Sequence, residues 1–130
     1  MRLLLDTHTF IWYVLNIQRL TDKVRNLIDD EDNEILLSIA SIWEMAIKQS
    51  TGKLSFSLPF ELFITQQLSF NKFNLLEIKI NHIAQVATLP LHHRDPFDRL
   101  LIAQALAAFT LLLSRYGRTQ DIPVAIPVAN

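Results

Sequence analysis

The chain has 130 residues, half of them hydrophobic and 19% charged, with a formal net charge of −1 and no cysteine. That length suits one domain over residues 1–130 with a sizeable core, and the composition excludes a disordered chain, a disulfide framework and thiolate metal sites. The near-neutral balance excludes a global basic field for nucleic acid, and no apolar run approaches the roughly 18 residues of a membrane span.

Leu3, Leu4 and Leu5 show no polar alternation, which predicts a strand buried on both faces in the middle of a parallel sheet. The run ends in Asp6, followed by Thr7, His8 and Thr9. Two readings of Asp6 stand side by side. It can cap the next helix, or it can act as a carboxylate at a strand tip, where open α/β sheets bind ligands. Phe10, Ile11, Val14 and Leu15 recur at helical spacing and predict a short first helix. Thr21 suits the cap of a second, with Val24, Leu27 and Ile28 on one face. The acidic run Asp29, Asp30, Glu31 and Asp32 reads as a solvated loop in preference to a metal site.

Ile35, Leu36 and Leu37 form a second buried strand. Ser38 or Ser41 can cap the following helix, whose Ile39, Ile42, Trp43, Ala46 and Ile47 make an apolar stripe. Gly52 suits the position just past its end. Glu44 lies off the stripe. Either it pairs with Lys48 one turn on, or it points at the strand tips, since this helix starts just beyond one. Residues 54–73 carry Phe56, Phe60, Phe63, Phe70 and Phe73, expected in core or interface packing, and Pro59 can open a helix there. Leu75, Leu76, Glu77 and Ile78 predict a third strand, and residues 80–89 a helix stopped by Pro90.

Beyond His92, His93 and Arg94, Asp95 is a natural N-cap, Pro96 fits the first helical position and Asp98 the third. Both acids meet the positive end of the helix dipole, so capping accounts for them. The other reading puts a metal and a phosphate at that helix start. Leu111, Leu112 and Leu113 predict a fourth strand, and Val124, Ala125 and Ile126 a fifth at the edge. Strands alternating with helices predict an α/β fold with a mostly parallel sheet of four to five strands.

Asp6, Glu44, Asp95 and Asp98 are therefore expected on one edge of one sheet. Clustered carboxylates repel and need a cation, and hard oxygen ligands favour Mg²⁺ or Mn²⁺. Such an ion polarises a phosphoryl oxygen and lowers the pKa of bound water, which suits phosphodiester hydrolysis. An aspartyl-phosphate phosphatase would carry a second Asp where His8 stands. A receiver domain would need an acidic pair after the first strand and an Asp ending the third, and neither occurs. His92 and His93 read either as exposed polar residues or as phosphate-contacting acid–base groups.

Several segments together resemble PIN-domain ribonucleases, in particular the VapC-type toxins of bacterial type II toxin–antitoxin systems. They are Leu5-Asp6-Thr7-His8 with Trp12, residues 38–44 ending in Trp43-Glu44, Gly52-Lys53-Leu54, and residues 93–99 with Ala103-Gln104-Ala105. The resemblance spans roughly residues 1–113. It implies a PIN-like three-layer sandwich and a Mg²⁺- or Mn²⁺-dependent endoribonuclease that leaves 5′-phosphate and 3′-hydroxyl ends, and the absence of cysteine fits a reducing, cytoplasmic setting. It also implies control by a small cognate antitoxin. By position, Asp6, Glu44 and Asp98 match the family's metal-holding acids, and Asp95 matches a further acid of this branch. Lys48, Arg94, Arg99 and Arg115 are the nearest candidates for RNA phosphates. The phenylalanine-rich segment and leucine-rich helices carry more apolar surface than a small monomer hides, which predicts a homodimer with an antitoxin segment across the acidic groove. The chain departs from the family after the fourth strand. A fourth acid is expected two residues beyond Ser114, and Tyr116 stands there. The alternative reading is thus a PIN-like module that has lost catalysis and survives by binding an antitoxin or nucleic acid.

Overall fold

The structure, a computed structural model, describes residues 1–90, 95–108 and 110–114. These form β1 (Arg2–Leu5), α1 (Thr7–Val14), α2 (Asp22–Asp29), β2 (Glu34–Ser38), α3 (Ile39–Ser50), α4 (Phe60–Phe70), β3 (Asn74–Leu76), α5 (Ile80–Val86), α6 (Pro96–Ala107) and β4 (Leu111–Leu113). The four strands are all parallel, in the order β3-β2-β1-β4. The fifth strand expected at Val124, Ala125 and Ile126 lies outside the described residues.

β1 is central because its side chains are wholly apolar on both faces. Leu3 and Leu5 join a cluster with Phe10, Val24, Ile28, Leu37, Phe63 and Phe73. Leu4 points the other way, into a cluster with Leu36, Leu101, Ile102, Ala105 and Leu112. Alternate residues of one strand thus feed two cores, one under α1, α2 and α4 and one under α6, which makes three layers. Each leucine hidden this way contributes roughly 1.5–3 kcal/mol. The chain leaves β1 towards β2 and β3 on one side and returns later to β4 on the other. That reversal opens a crevice beyond the carboxyl ends of β1 and β4, where doubly wound sheets bind ligands.

Local signals end most helices where the sequence predicts. Thr21 caps α2 through the Val24 N–H at 3.3 Å. Ser38, not Ser41, caps α3 through the Ala40 N–H at 3.0 Å. Gly52 takes φ +79° just past α3, and Lys53 N–H returns 2.8 Å to the Lys48 carbonyl, closing a Schellman turn.

Three expectations are corrected. The stripe of Ile39, Ile42, Trp43, Ala46 and Ile47 is not the buried face of α3; Ala40, Ser41 and Met45 are buried, while Trp43 stays 58% exposed. α3 packs between β2, α1 and α6, and small side chains at Ala40 and Ser41 admit the close approach. The third strand stops at Leu76, short of Glu77 and Ile78. α5 ends at Val86, ahead of Pro90, because Arg99 of α6 caps the chain there: its guanidinium donates to the carbonyls of Val86 at 2.9 Å and Pro90 at 3.1 Å. Of the phenylalanines, Phe56 stacks on Phe63 at 4.1 Å and Phe73 meets Phe10 edge-on, whereas Phe70 is 83% exposed. Among the described residues no helix is long and apolar enough to cross a membrane.

Candidate active site

Parallel strands bring their carboxyl ends to one edge. Leu5 is level with Leu113, and Leu4 with Leu36, so Asp6, Ser38 and Ser114 all leave the sheet there. The Asp6 N–H donates to the Leu113 carbonyl at 3.1 Å, which seats Asp6 in the crevice between β1 and β4. Asp6 Oδ1 accepts the Thr9 N–H at 2.7 Å and lies 2.7 Å from the Thr9 hydroxyl, so it caps α1. Capping and the strand-tip position hold for the same side chain.

The next residue links two elements. Thr7 Oγ1 donates to Glu44 Oε1 at 2.6 Å and sits 3.0 Å from Ser41 Oγ. Thr7 and Ser41 are buried, and Ser41 and Glu44 are one turn apart on α3. A hydroxyl beside Asp6 therefore orients Glu44 from another helix. The second Glu44 oxygen, Oε2, is 3.4 Å from Lys48 Nζ, with both side chains mostly shielded (13% and 27% exposed). Lys48 Nζ also lies 3.5 Å from His8 Nε2.

Asp95 and Asp98 open α6. Asp95 Oδ1 accepts the N–H groups of Phe97 at 2.8 Å and Asp98 at 3.0 Å, the capping role expected of it. Pro96 follows at the first helical position. Asp98 is exposed in that first turn. The start of α6 meets α3 where Phe97 packs edge-on against Trp43, ring centres 5.1 Å apart. These two aromatics are chain neighbours of Asp98 and Glu44. Beneath them, Ser38 Oγ donates to Gln104 Oε1 at 2.6 Å, and Gln104 Nε2 reaches the Glu77 carbonyl at 3.3 Å. Gln104 is completely buried, so this relay fixes α6 against the ends of β2 and β3.

The donor set is hard carboxylate oxygen with no thiolate, which fits a divalent cation such as Mg²⁺ or Mn²⁺ in kind. In position, Asp6 and Glu44 are joined through Thr7. Among the described residues, no group of three or more His, Asp or Glu side chains stands ready around one ion. Glu44 faces an ammonium instead.

Reading the sequence alone missed Thr7, Ser41, Gln104 and the clamp made by Arg99. Ser41 carried a signal in its spacing, three residues before Glu44 on one helix, and Thr7 in its place beside Asp6. Arg99, taken above as a phosphate contact, has its guanidinium engaged by backbone carbonyls. His92, His93, Arg94, Arg115 and Tyr116 lie outside the described residues.

No curated protein matches the chain. A family model does: the PIN domain, over residues 3–117. PIN domains are generally nucleases and typically use divalent metals. The parallel sheet and its helices on both faces agree with that match, and the chain belongs to the PIN domain family.

Proposed function

We infer that this PIN-domain chain is a metal-dependent endoribonuclease, the toxin of a toxin–antitoxin pair. The observation that carries the reading is the Asp6–Thr7–Glu44 linkage at the carboxyl edge of a PIN-domain sheet. Asp6, Glu44 and Asp98 would hold Mg²⁺ or Mn²⁺, with Asp95 supporting Asp98 through the helix start. The ion would polarise the scissile phosphoryl oxygen and activate water for attack. The chain's own residues then orient and exclude. Thr7 aims Glu44, Asp6 is held by Thr9, and the Ser38–Gln104 relay keeps α6 in register with the sheet.

The test is RNA cleavage by purified protein with Mg²⁺ or Mn²⁺ and its loss with chelator. Cleavage that survives chelation but disappears when His92 and His93 are replaced would mean metal-free acid–base chemistry.

The partner reading draws its support from an exposed apolar surface. An apolar groove of ≈ 450 Å³ is lined by Trp43, Ile47, Ile83, Val86, Phe97 and Leu100. Exposed apolar surface of this kind supports a homodimer through α3, α5 and α6, and a small antitoxin would cover the acidic edge. Sedimentation at increasing concentration tests the dimer, and a protein monomeric throughout overturns it.

A second reading is a binding module that no longer cleaves. Tyr116 at the place of the fourth acid and the ion pair on Glu44 favour it. A phenol with a free pKa near 10 does not replace the anionic carboxylate oxygen that Mg²⁺ or Mn²⁺ prefers. Tyr116→Asp should tighten Mn²⁺ binding and raise cleavage if that position faces the metal. A protein that binds RNA yet cleaves nothing in either form is the binding module.

A further inference from the structure

We propose that Lys48 is the positioning residue of the candidate metal centre: an internal cation that holds Glu44 before a divalent ion arrives and competes with that ion. The proposal rests on reading the acidic edge as a divalent-metal nuclease site.

Both oxygens of Glu44 are engaged by protein groups. Thr7 donates to Oε1 at 2.6 Å, and the Lys48 ammonium lies 3.4 Å from Oε2. Glu44 and Lys48 are one turn apart in the order that favours pairing on a helix. An ordinary pair of this kind lies out in water, where it is weakly coupled to its surroundings. This one does not. The Glu44 side chain is 13% exposed and that of Lys48 27%, and the ammonium lies 3.5 Å from His8 Nε2 of α1. The end of α3 also fixes the lysine's backbone, since the Lys53 N–H closes on the Lys48 carbonyl.

An ammonium and a divalent ion cannot share Glu44 Oε2 without strong like-charge repulsion. Binding of the ion and the Lys48–Glu44 pair are therefore alternatives. Anything that stabilises one arrangement without the other shifts the balance by its differential affinity. The lysine stem is long and flexible, so the ammonium can leave while the Thr7 contact stays. Lys48 thus acts through Glu44: it neutralises and orients the carboxylate, and it sets the affinity for the ion.

The experiment is Mn²⁺ titration followed by electron paramagnetic resonance, on the full chain without RNA. The proteins are wild type, Lys48→Met, Lys48→Arg and Lys48→Met combined with Glu44→Gln, each checked for folding by circular dichroism. Lys48→Met should bind Mn²⁺ about tenfold more tightly than wild type, a change equivalent to about 1.4 kcal/mol. Lys48→Arg, which keeps the charge, should remain near wild type. The gain should vanish in the double variant, because Lys48 acts only through Glu44. A wild type that binds poorly beside a Lys48→Met that binds well supports the proposal further. Equal affinity of wild type and Lys48→Met, within twofold, overturns it and leaves the metal-nuclease reading standing. Weaker binding by Lys48→Met also overturns it. If no folded variant binds Mn²⁺, the metal reading itself fails and the proposal falls with it.

Discussion

The sheet has an acidic group at each edge, and the two are built differently. At the amino edge Asp29 ends α2 and Asp30, Glu31 and Asp32 follow it before β2, all four exposed. At the carboxyl edge the acids arrive separately, Asp6 from β1, Glu44 from α3, and Asp95 and Asp98 from α6. Water screens the charges of such exposed neighbours, and the contacts this run does make, the Tyr13 hydroxyl to Asp29 and the Asp32 N–H to Asp30 Oδ1 at 2.9 Å, gather its acids around no common point. An acid delivered alone by a rigid element is aimed by that element and by whatever touches it. Glu44 is aimed by Thr7, 37 positions earlier in the chain. Density of charge along the sequence is thus a poor guide to a site, and anchoring of single carboxylates is a better one.

The largest expected effect separates the two edges directly. Asp6→Asn should reduce RNA cleavage about 10²-fold or more, while the fold survives because Asn also caps a helix. Asp30→Asn, in the exposed loop, should leave cleavage unchanged. Gel assays of both variants, with melts as controls, check this. Equal losses in the two variants would erase the distinction between the edges.

Next in size is the anchor itself. Thr7→Val keeps the shape but leaves the buried Ser41 hydroxyl and Glu44 Oε1 facing a methyl group. Stranding buried polar groups costs about 1–3 kcal/mol, which should lower the melting temperature by several degrees, and Thr7→Ser should recover most of it. An unchanged melt for Thr7→Val would show that Glu44 is aimed by something else.

At α6, Asp95→Ala removes the acceptor of two N–H groups and should cost about 1 kcal/mol in a denaturant titration. Asp95→Asn restores the cap without the charge. Stability without cleavage in Asp95→Asn would assign Asp95 to the chemistry as well as to the helix, and recovery of both would leave it a cap.

The smallest effect distinguishes the pH dependence of the fold from that of the site. His82 is buried at the start of α5, and its Nδ1 accepts the Lys79 N–H at 3.0 Å. Burial, and then the Lys79 charge, hold its pKa below the ordinary 6.5. The unfolded chain therefore takes up a proton first as pH falls. Stability contributed by neutral His82 is present above about pH 6.5 and declines below it towards the folded pKa. Denaturant midpoints between about pH 7.5 and 5 should fall for wild type and flatten for His82→Gln, which can still accept from the cap N–H. An identical slope in His82→Gln would move the pH dependence onto other groups.

Much of this molecule is legible one segment at a time. Leu3 to Leu5 and Ile35 to Leu37 announce buried parallel strands because nothing polar interrupts them. Thr21 and Asp95 announce helix starts because an N-cap needs only its own next three residues, and Gly52 announces a helix end because few residues take φ +79°. The combined motifs carry the family resemblance, and the match over residues 3–117 bears out its PIN-domain part. α3 is where segment reading fails. Ile39, Ala40, Ile42, Trp43, Met45, Ala46 and Ile47 are apolar nearly all round the helix, so the sequence supports more than one buried face. The choice falls to Ala40, Ser41 and Met45 because Thr7 and α6 press against that side, and Trp43 is left outside with Phe97. The strand order β3-β2-β1-β4, the Thr7–Glu44 bond, the Gln104 relay and the Arg99 clamp are likewise decided only by the tertiary structure. Periodicity and caps depend on near neighbours in the chain, whereas these depend on which distant segments the packing brings into contact.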